Sequence, residues 1–346
     1  MRNFFGIGFI VIALLITGGY FWYSNSLSAY KKSVQKKYTK TEISIAPSVT
    51  NAPIKSLKKT LFVPEWTCEQ ADHSSIPEVD RIVYFGISVT TQGVNEHDSG
   101  YANISSCLKR FPQEITKLIG VKMLDTDVNT AILKNKEMQH NVIKNIVDFT
   151  KNQGVNGVAL DLEMSGIFYE QTAQQITSFI EEFRKETKQA GLTLAVTAYG
   201  DTYYRKRPYE IATISSSVDE VMVMAYDFHK SRGEPGPNFP LEGKDTYGYD
   251  FQTMTEDFLR DVPQEKLTII FGMYGYDWVV DENKKPLKVA TAVTDNQVKL
   301  KFLDTCQWKN CIVRPDDKAA ETEVNYIDES LRYHIVWFED VLTCPL

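Results

Sequence analysis

The chain has 346 residues, 43% hydrophobic and 24% charged, a composition that excludes disordered and collagen-like proteins and leaves room for one large or two ordinary domains. Its net charge of −7 is unevenly placed: residues 1 to 60 hold nine Lys or Arg against the single acid Glu42, so the remaining 286 residues hold 29 basic and 44 acidic groups. A body this acidic repels a polyphosphate backbone, which argues against nucleic acid as a partner and for neutral or cationic substrates.

In chain order, Phe4 to Tyr23 is an uncharged run of 20 residues. As a helix it spans about 30 Å of hydrocarbon, longer than the ~7 to 15 residues of a signal-peptide core, so residues 1–23 are expected to anchor the chain in a membrane. The aromatic group Tyr20, Phe21, Trp22 and Tyr23 suits the interface. Residues 24–60, with Ser, Thr, Lys and Asn, two prolines and little apolar periodicity, read as a flexible basic stalk. The body is expected outside the membrane, or secreted if the chain is cleaved near Ser26 or Ser28. The lysines that follow the run, against Arg2 alone before it, oppose the usual charge rule for this orientation.

From Leu61 the texture changes. Short apolar, β-branched runs predict strands at Leu61–Trp66, Arg81–Ser88, Gly120–Leu124, Gly157–Glu163, Leu192–Tyr199, Glu220–Asp227 and Leu267–Tyr274. Between them lie helical spacings such as Val142, Ile146 and Phe149, or Ile176, Phe179, Ile180 and Phe183, with Gly154 and Gly191 where C-caps belong. Strand–helix alternation over this length predicts an α/β fold with a parallel sheet, open or closed into a (β/α)8 TIM barrel; residues 61–346 form this body. Residues 283–340 break the rhythm and predict an α+β insertion after strand seven.

Five cysteines, an odd count without a CxxC pair, argue against a zinc site. In an exported protein Cys68 with Cys107 and Cys306 with Cys311 are plausible bridges, although pairing is not legible in sequence. The histidines are scattered without HExxH, and neither GxSxG nor a P-loop occurs, so no metal or cofactor is expected.

The chemistry concentrates at Asn156-Gly157-Val158-Ala159-Leu160-Asp161-Leu162-Glu163. On a strand, period two places Val158, Leu160 and Leu162 under the helices, and Ala159, Asp161 and Glu163 inside the barrel. The two acids then stand at the strand's C-terminal end, where barrel active sites lie. Two carboxylates this close repel when ionised, so one is expected to hold a proton near neutral pH, as glycoside cleavage requires. Val221 to His229 ends in Tyr226 and Asp227; alternation sends these to opposite faces unless the strand ends or bulges there. Tyr274, Tyr276 and Trp278 form an aromatic cluster suited to the apolar faces of a sugar ring, or to an ordinary core.

These residues resemble glycoside hydrolase family 18, the chitinase-like family. Asn156 to Glu163 is similar to its Asp-Gly-x-Asp-x-Asp-x-Glu signature on the fourth barrel strand, Met224-Ala225-Tyr226-Asp227 to its Met-x-Tyr-Asp, and Gly272 to Trp278 to its strand-seven region. Pro235-Gly236-Pro237 and Trp337-Phe338-Glu339-Asp340 resemble the branch that includes spore-cortex peptidoglycan hydrolases. The resemblance implies that Glu163, Asp161 and Tyr226 are catalytic and that Asp227, Met224, Tyr199, Tyr274, Trp278 and Phe85 bind substrate. It also implies substrate-assisted, retaining hydrolysis of β-1,4-linked N-acetylglucosamine glycans, chitin or peptidoglycan, by a monomer needing no cofactor. Two departures stand out. Asn156 and Ala159 replace the first two acids of the signature, and the sequence ends soon after Trp337, so either it stops before an eighth strand or the barrel closes in an unusual way. A non-catalytic lectin on the same scaffold is the alternative reading.

Overall fold

The computed structural model describes residues 57–68, 79–166, 170–304 and 306–339. The expected anchor and most of the stalk, with Asp340, lie outside the described residues. Among the described residues no helix is long and apolar enough to cross a membrane.

Seven parallel strands form the body: β1 (Thr60–Pro64), β2 (Arg81–Thr90), β4 (Thr116–Met123), β5 (Gly157–Leu162), β6 (Thr193–Tyr199), β7 (Glu220–Ala225) and β8 (Leu267–Phe271), paired in that order, with the short β3 (Gly93–Val94) folded back on β2. Each predicted strand is present. β5 is buried along its whole length, with Val158, Leu160 and Leu162 packed into the core that holds Ile146 and Val142 of helix Lys136–Asn152 and Phe179 and Ile180 of helix Glu170–Gln189. These helices present the apolar stripe predicted from their spacing, and Gly154 and Gly191 follow them with positive φ, as C-caps do.

The opposite face of the sheet forms a separate layer to which every parallel strand contributes one residue: Phe62, Val83, Leu118, Ala159, Ala195, Met222 and Ile270. Such convergence requires a sheet curled around its own interior, as in a barrel. Below this layer Arg81 of β2 donates to both carboxylate oxygens of Glu220 on β7, at 2.5 and 2.7 Å. The two strands are separated in the sheet by β4, β5 and β6, so the pair ties the curl across the interior. Glu220→Ala is expected to cost about 2 kcal/mol, less than a fully buried pair because both side chains keep some water contact. The double change Arg81→Met with Glu220→Leu should recover most of that loss in thermal unfolding; a single variant with the parent Tm would show that the curl does not depend on the pair.

Among the described residues β8 and β1 are not paired with each other, so the sheet is curled but open between its first and seventh strands. The half-exposed Phe271 lies on this side of the barrel and stacks on Phe251 at 5.6 Å.

The expected insertion is a five-stranded antiparallel sheet of β9 (Tyr274–Val280), β10 (Thr291–Thr294), β11 (Lys309–Asp316), β12 (Glu321–Ile327) and β13 (Tyr333–Glu339), in the order β10-β9-β13-β12-β11. Its start corrects the sequence reading from residue 283 to Tyr274. The predicted seventh strand, Leu267–Tyr274, ends at Phe271, and the aromatic run after it belongs to the second sheet. Hydropathy is continuous across this junction, which is why the break was invisible. Gly272 makes the turn possible: a Cβ there would stand 2.7 Å from Cβ of Tyr226 and 2.8 Å from the Tyr274 ring. Trp337 lies on β13 opposite Tyr276 and packs in the second sheet's core, not on a barrel strand. Both plausible disulfides are formed, Cys68–Cys107 and Cys306–Cys311.

Candidate active site

The C-terminal ends of β4 to β7 bring the predicted acids and tyrosines together. Asp161 is 3% exposed, directly above the apolar layer that contains Ala159. The Thr197 hydroxyl donates to Asp161 Oδ1 at 2.6 Å from the neighbouring strand, and Lys122 stands opposite Asp161 on β4. Burial and then the charge of Glu163 push the Asp161 carboxyl up to about 7, against the opposing pull of the Thr197 bond and Lys122. The proton anticipated for the pair is therefore favoured on Asp161. Ala159 contributes by what it lacks: where the family signature has an acid, a methyl group leaves Asp161 above apolar surface alone.

Glu163 follows the last residue of β5 and is only half-buried. Its backbone is held at both ends: its N–H donates to the Met123 carbonyl at 2.9 Å and its carbonyl accepts from Asn129 Nδ2 at 2.8 Å. The same Asn129 amide reaches the Met123 carbonyl at 2.7 Å, so one buried side chain joins the ends of β4 and β5. The Glu163 side chain is hydrogen-bonded to Tyr199, the last residue of β6. The Tyr199 ring is covered by the Arg207 guanidinium at 4.2 Å and the Lys230 ammonium at 5.0 Å. Arg207 is itself held by the buried Asp201 through two bonds of 2.9 Å. Tyr209 completes this wall, donating to the Leu162 carbonyl at 2.7 Å.

Tyr226 and Asp227 reach the same site because β7 ends at Ala225 and the backbone then turns left-handed at Asp227, φ 58°. Tyr226 is half-buried among carboxylates: desolvation, then Asp161, Asp227 and Glu163, hold its phenol well above the usual range. Asp227 Oδ1 accepts from the hydroxyls of Tyr274 and, at 2.7 Å, Tyr276. Both phenols come from the second sheet, so this sheet orients an acid of the barrel.

Of the remaining expected residues, Met224 is buried on β7, and Phe85 on β2 is half-buried with the Lys122 ammonium 5.9 Å above its ring. Trp278 corrects the expectation of a sugar contact. It is 0% exposed within the second sheet's core, beside Tyr276 and Trp337, and offers no face to a ligand. Asn156 lies at the opposite end of β5, its Oδ1 accepting the Lys117 N–H at 2.8 Å, so its departure from the signature falls outside the acid cluster. Thr197, Lys122, Asn129 and Arg207 were not singled out in the sequence. Thr197 and Lys122 carried a signal in strand alternation, whereas the others meet the site only through tertiary contacts. Two cavities, about 370 and 450 Å3, lie at the Asp281 and Tyr333 end of the second sheet and are lined by none of these acids.

A family model of glycosyl hydrolases, family 18, matches residues 125–344. YdhD of Bacillus subtilis strain 168, whose name describes a sporulation-specific glycosylase, is 27% identical over 219 residues, covering 62% of this chain and 48% of its own. The cortical fragment-lytic enzyme of Bacillus anthracis is 23% identical over 278 residues, 76% of this chain and 60% of the relative. The chain thus spans about half to three-fifths of these relatives' length. Among solved structures, the Group IV chitinase of Ostrinia furnacalis superposes with a TM-score of 0.68 at 18% identity, over 83% of this chain and 87% of that one.

Proposed function

The chain belongs to glycosyl hydrolase family 18, and on that premise we propose that it cleaves β-1,4-linked N-acetylglucosamine glycans, chitin-type or peptidoglycan, by substrate-assisted retention. The observation that carries this reading is the convergence of Asp161, Glu163, Tyr226 and Asp227 at one end of the barrel, with a proton favoured on the Asp161–Glu163 pair. The names of the relatives, a cortical fragment-lytic enzyme and a chitinase, support the substrate class.

In the proposed reaction the proton held on Asp161 passes to Glu163 when substrate binds, leaving Asp161 a carboxylate, and Glu163 gives that proton to the glycosidic oxygen as the bond to the anomeric carbon breaks. The acetamide oxygen of the same sugar attacks the anomeric carbon from the other side and holds it as a cyclic intermediate. Asp161 and Tyr226 hold the acetamide and stabilise the positive charge that develops on it. Water then opens the ring, returning a proton to Glu163 with retained configuration. Asp227, oriented by Tyr274 and Tyr276, hydrogen-bonds the distorted sugar. The half-buried Tyr199 and Phe85 line the approach. Residues 1–23 are proposed to anchor this body, as a monomer, outside the membrane.

The test is mass-spectrometric analysis of N-acetylglucosamine oligomers and peptidoglycan strands incubated with the protein across pH. Cleavage is expected to fall as pH rises through about 7, because the pair then loses the one proton from which Glu163 is supplied. A lectin is the second reading, favoured by Ala159 in place of a signature acid; intact oligomers at every pH, with glycan still bound, would establish it.

A further inference from the structure

Asn238 is 1% exposed and joins three segments of the chain. Its Oδ1 accepts the Asp227 N–H at 2.8 Å, its carbonyl accepts the Phe228 N–H at 2.7 Å, and its Nδ2 donates to the Tyr274 carbonyl at 3.2 Å. Its own N–H, and that of Phe239, are taken by Glu321 of β12, at 2.7 and 2.8 Å, one to each carboxylate oxygen. We propose that Glu321 is a positioning residue for the glycosidase site: the two oxygens of its buried carboxyl group hold the N–H groups at 238 and 239, and through Asn238 fix the backbone that presents Asp227 to substrate. This inference rests on the proposed glycosidase reading.

Three features support it. Glu321 is 1% exposed, and among the described residues it forms no ion pair. The charged groups facing it are acids, Glu339 directly opposite on β13 and Asp316 at the end of β11, and burial pushes the Glu321 carboxyl up to about 8. A carboxyl in such surroundings is unfavourable unless its hydrogen bonds are needed. Second, two consecutive N–H groups pointing one way call for two adjacent acceptors, which a carboxyl supplies and a single carbonyl does not. Third, Asp227 has a left-handed backbone, φ 58°, a conformation that persists in a non-glycine residue only where the surroundings over-determine it. Asn238 supplies the acceptor for its N–H, and Glu321 holds Asn238. The inserted sheet thus grips Asp227 twice, at the carboxylate through Tyr274 and Tyr276 and at the backbone through Glu321 and Asn238.

The discriminating variant is Glu321→Gln in the full chain. It keeps the shape but sets an NH2 group against one of the two N–H donors. Hydrogen exchange followed by mass spectrometry is expected to speed up at the 238–239 amides. With N-acetylglucosamine oligomers, kcat is expected to fall about 10- to 100-fold while KM stays within about threefold, as for a group misplaced by about 1 Å in the transition state. Asn238→Ala leaves both Glu321 bonds in place, cuts the link to Asp227 and should give the same kcat loss; it also serves if Glu321→Gln does not fold. Unchanged exchange in Glu321→Gln, or unchanged kcat in Asn238→Ala, would overturn the inference. Parent protein that cleaves no glycan would instead sink the glycosidase reading, while the exchange experiment would still report on the clamp.

Discussion

Replacing Glu163 with glutamine is expected to lower kcat on N-acetylglucosamine oligomers by at least about 1,000-fold, within the range for loss of a general acid. That corresponds to about 4 kcal/mol of transition-state stabilisation. The substitution isolates the proton. The amide keeps the volume of the side chain and an acceptor for the Tyr199 hydroxyl, and the backbone bonds to Met123 and Asn129 are untouched. Glycan binding, measured by calorimetry, should therefore persist, and Tm should move little. Full turnover by Glu163→Gln would remove Glu163 from the chemistry.

Asp161→Asn is expected to act on both catalysis and stability, with opposite signs. Turnover should fall about 100-fold or more, since the amide cannot stabilise positive charge on the acetamide as a carboxylate does. Stability should rise at neutral and alkaline pH. The Asp161 carboxyl is raised from 3.8 to about 7 on folding, so between these values the native state holds more of the proton than the unfolded chain does. Its contribution is fully present below about 3.8 and is lost as pH rises through about 7. An asparagine neither gains nor loses that contribution. The variant should match the parent in thermal unfolding near pH 4 and exceed it by several degrees at pH 8. A parent and variant that lose stability in parallel from pH 4 to 8 would show that Asp161 is not the group held protonated.

Much of the architecture was legible because its signals are local. Seven apolar, β-branched runs separated by 3.6-period helices predicted the parallel sheet, and period two in Gly157–Leu162 correctly divided Val158, Leu160 and Leu162 from Ala159 and Asp161. Alternation also posed the question at Tyr226 and Asp227 that the end of β7 and a left-handed Asp227 answer. Where one element ends and the next begins was less legible. The aromatic run from Tyr274 has the hydropathy of a continuing barrel strand, and only its pairing with β10 and β13 moves it to the second sheet.

The sequence by itself determined which residues alternate on which face, and so which acids stand at the strand ends. Tertiary structure alone decided how much water each of them keeps. Asp161 and Glu163 are two residues apart on one strand, yet one is almost wholly enclosed and the other half-exposed, because enclosure comes from the layer that six other strands supply. Trp278 was a plausible sugar platform until β13 covered it. Glu321 meets Asn238 across 83 residues and Arg81 meets Glu220 across 139. Periodicity records the direction of a side chain relative to its own element, whereas desolvation and hydrogen-bond partners depend on surfaces that arrive from elsewhere in the chain.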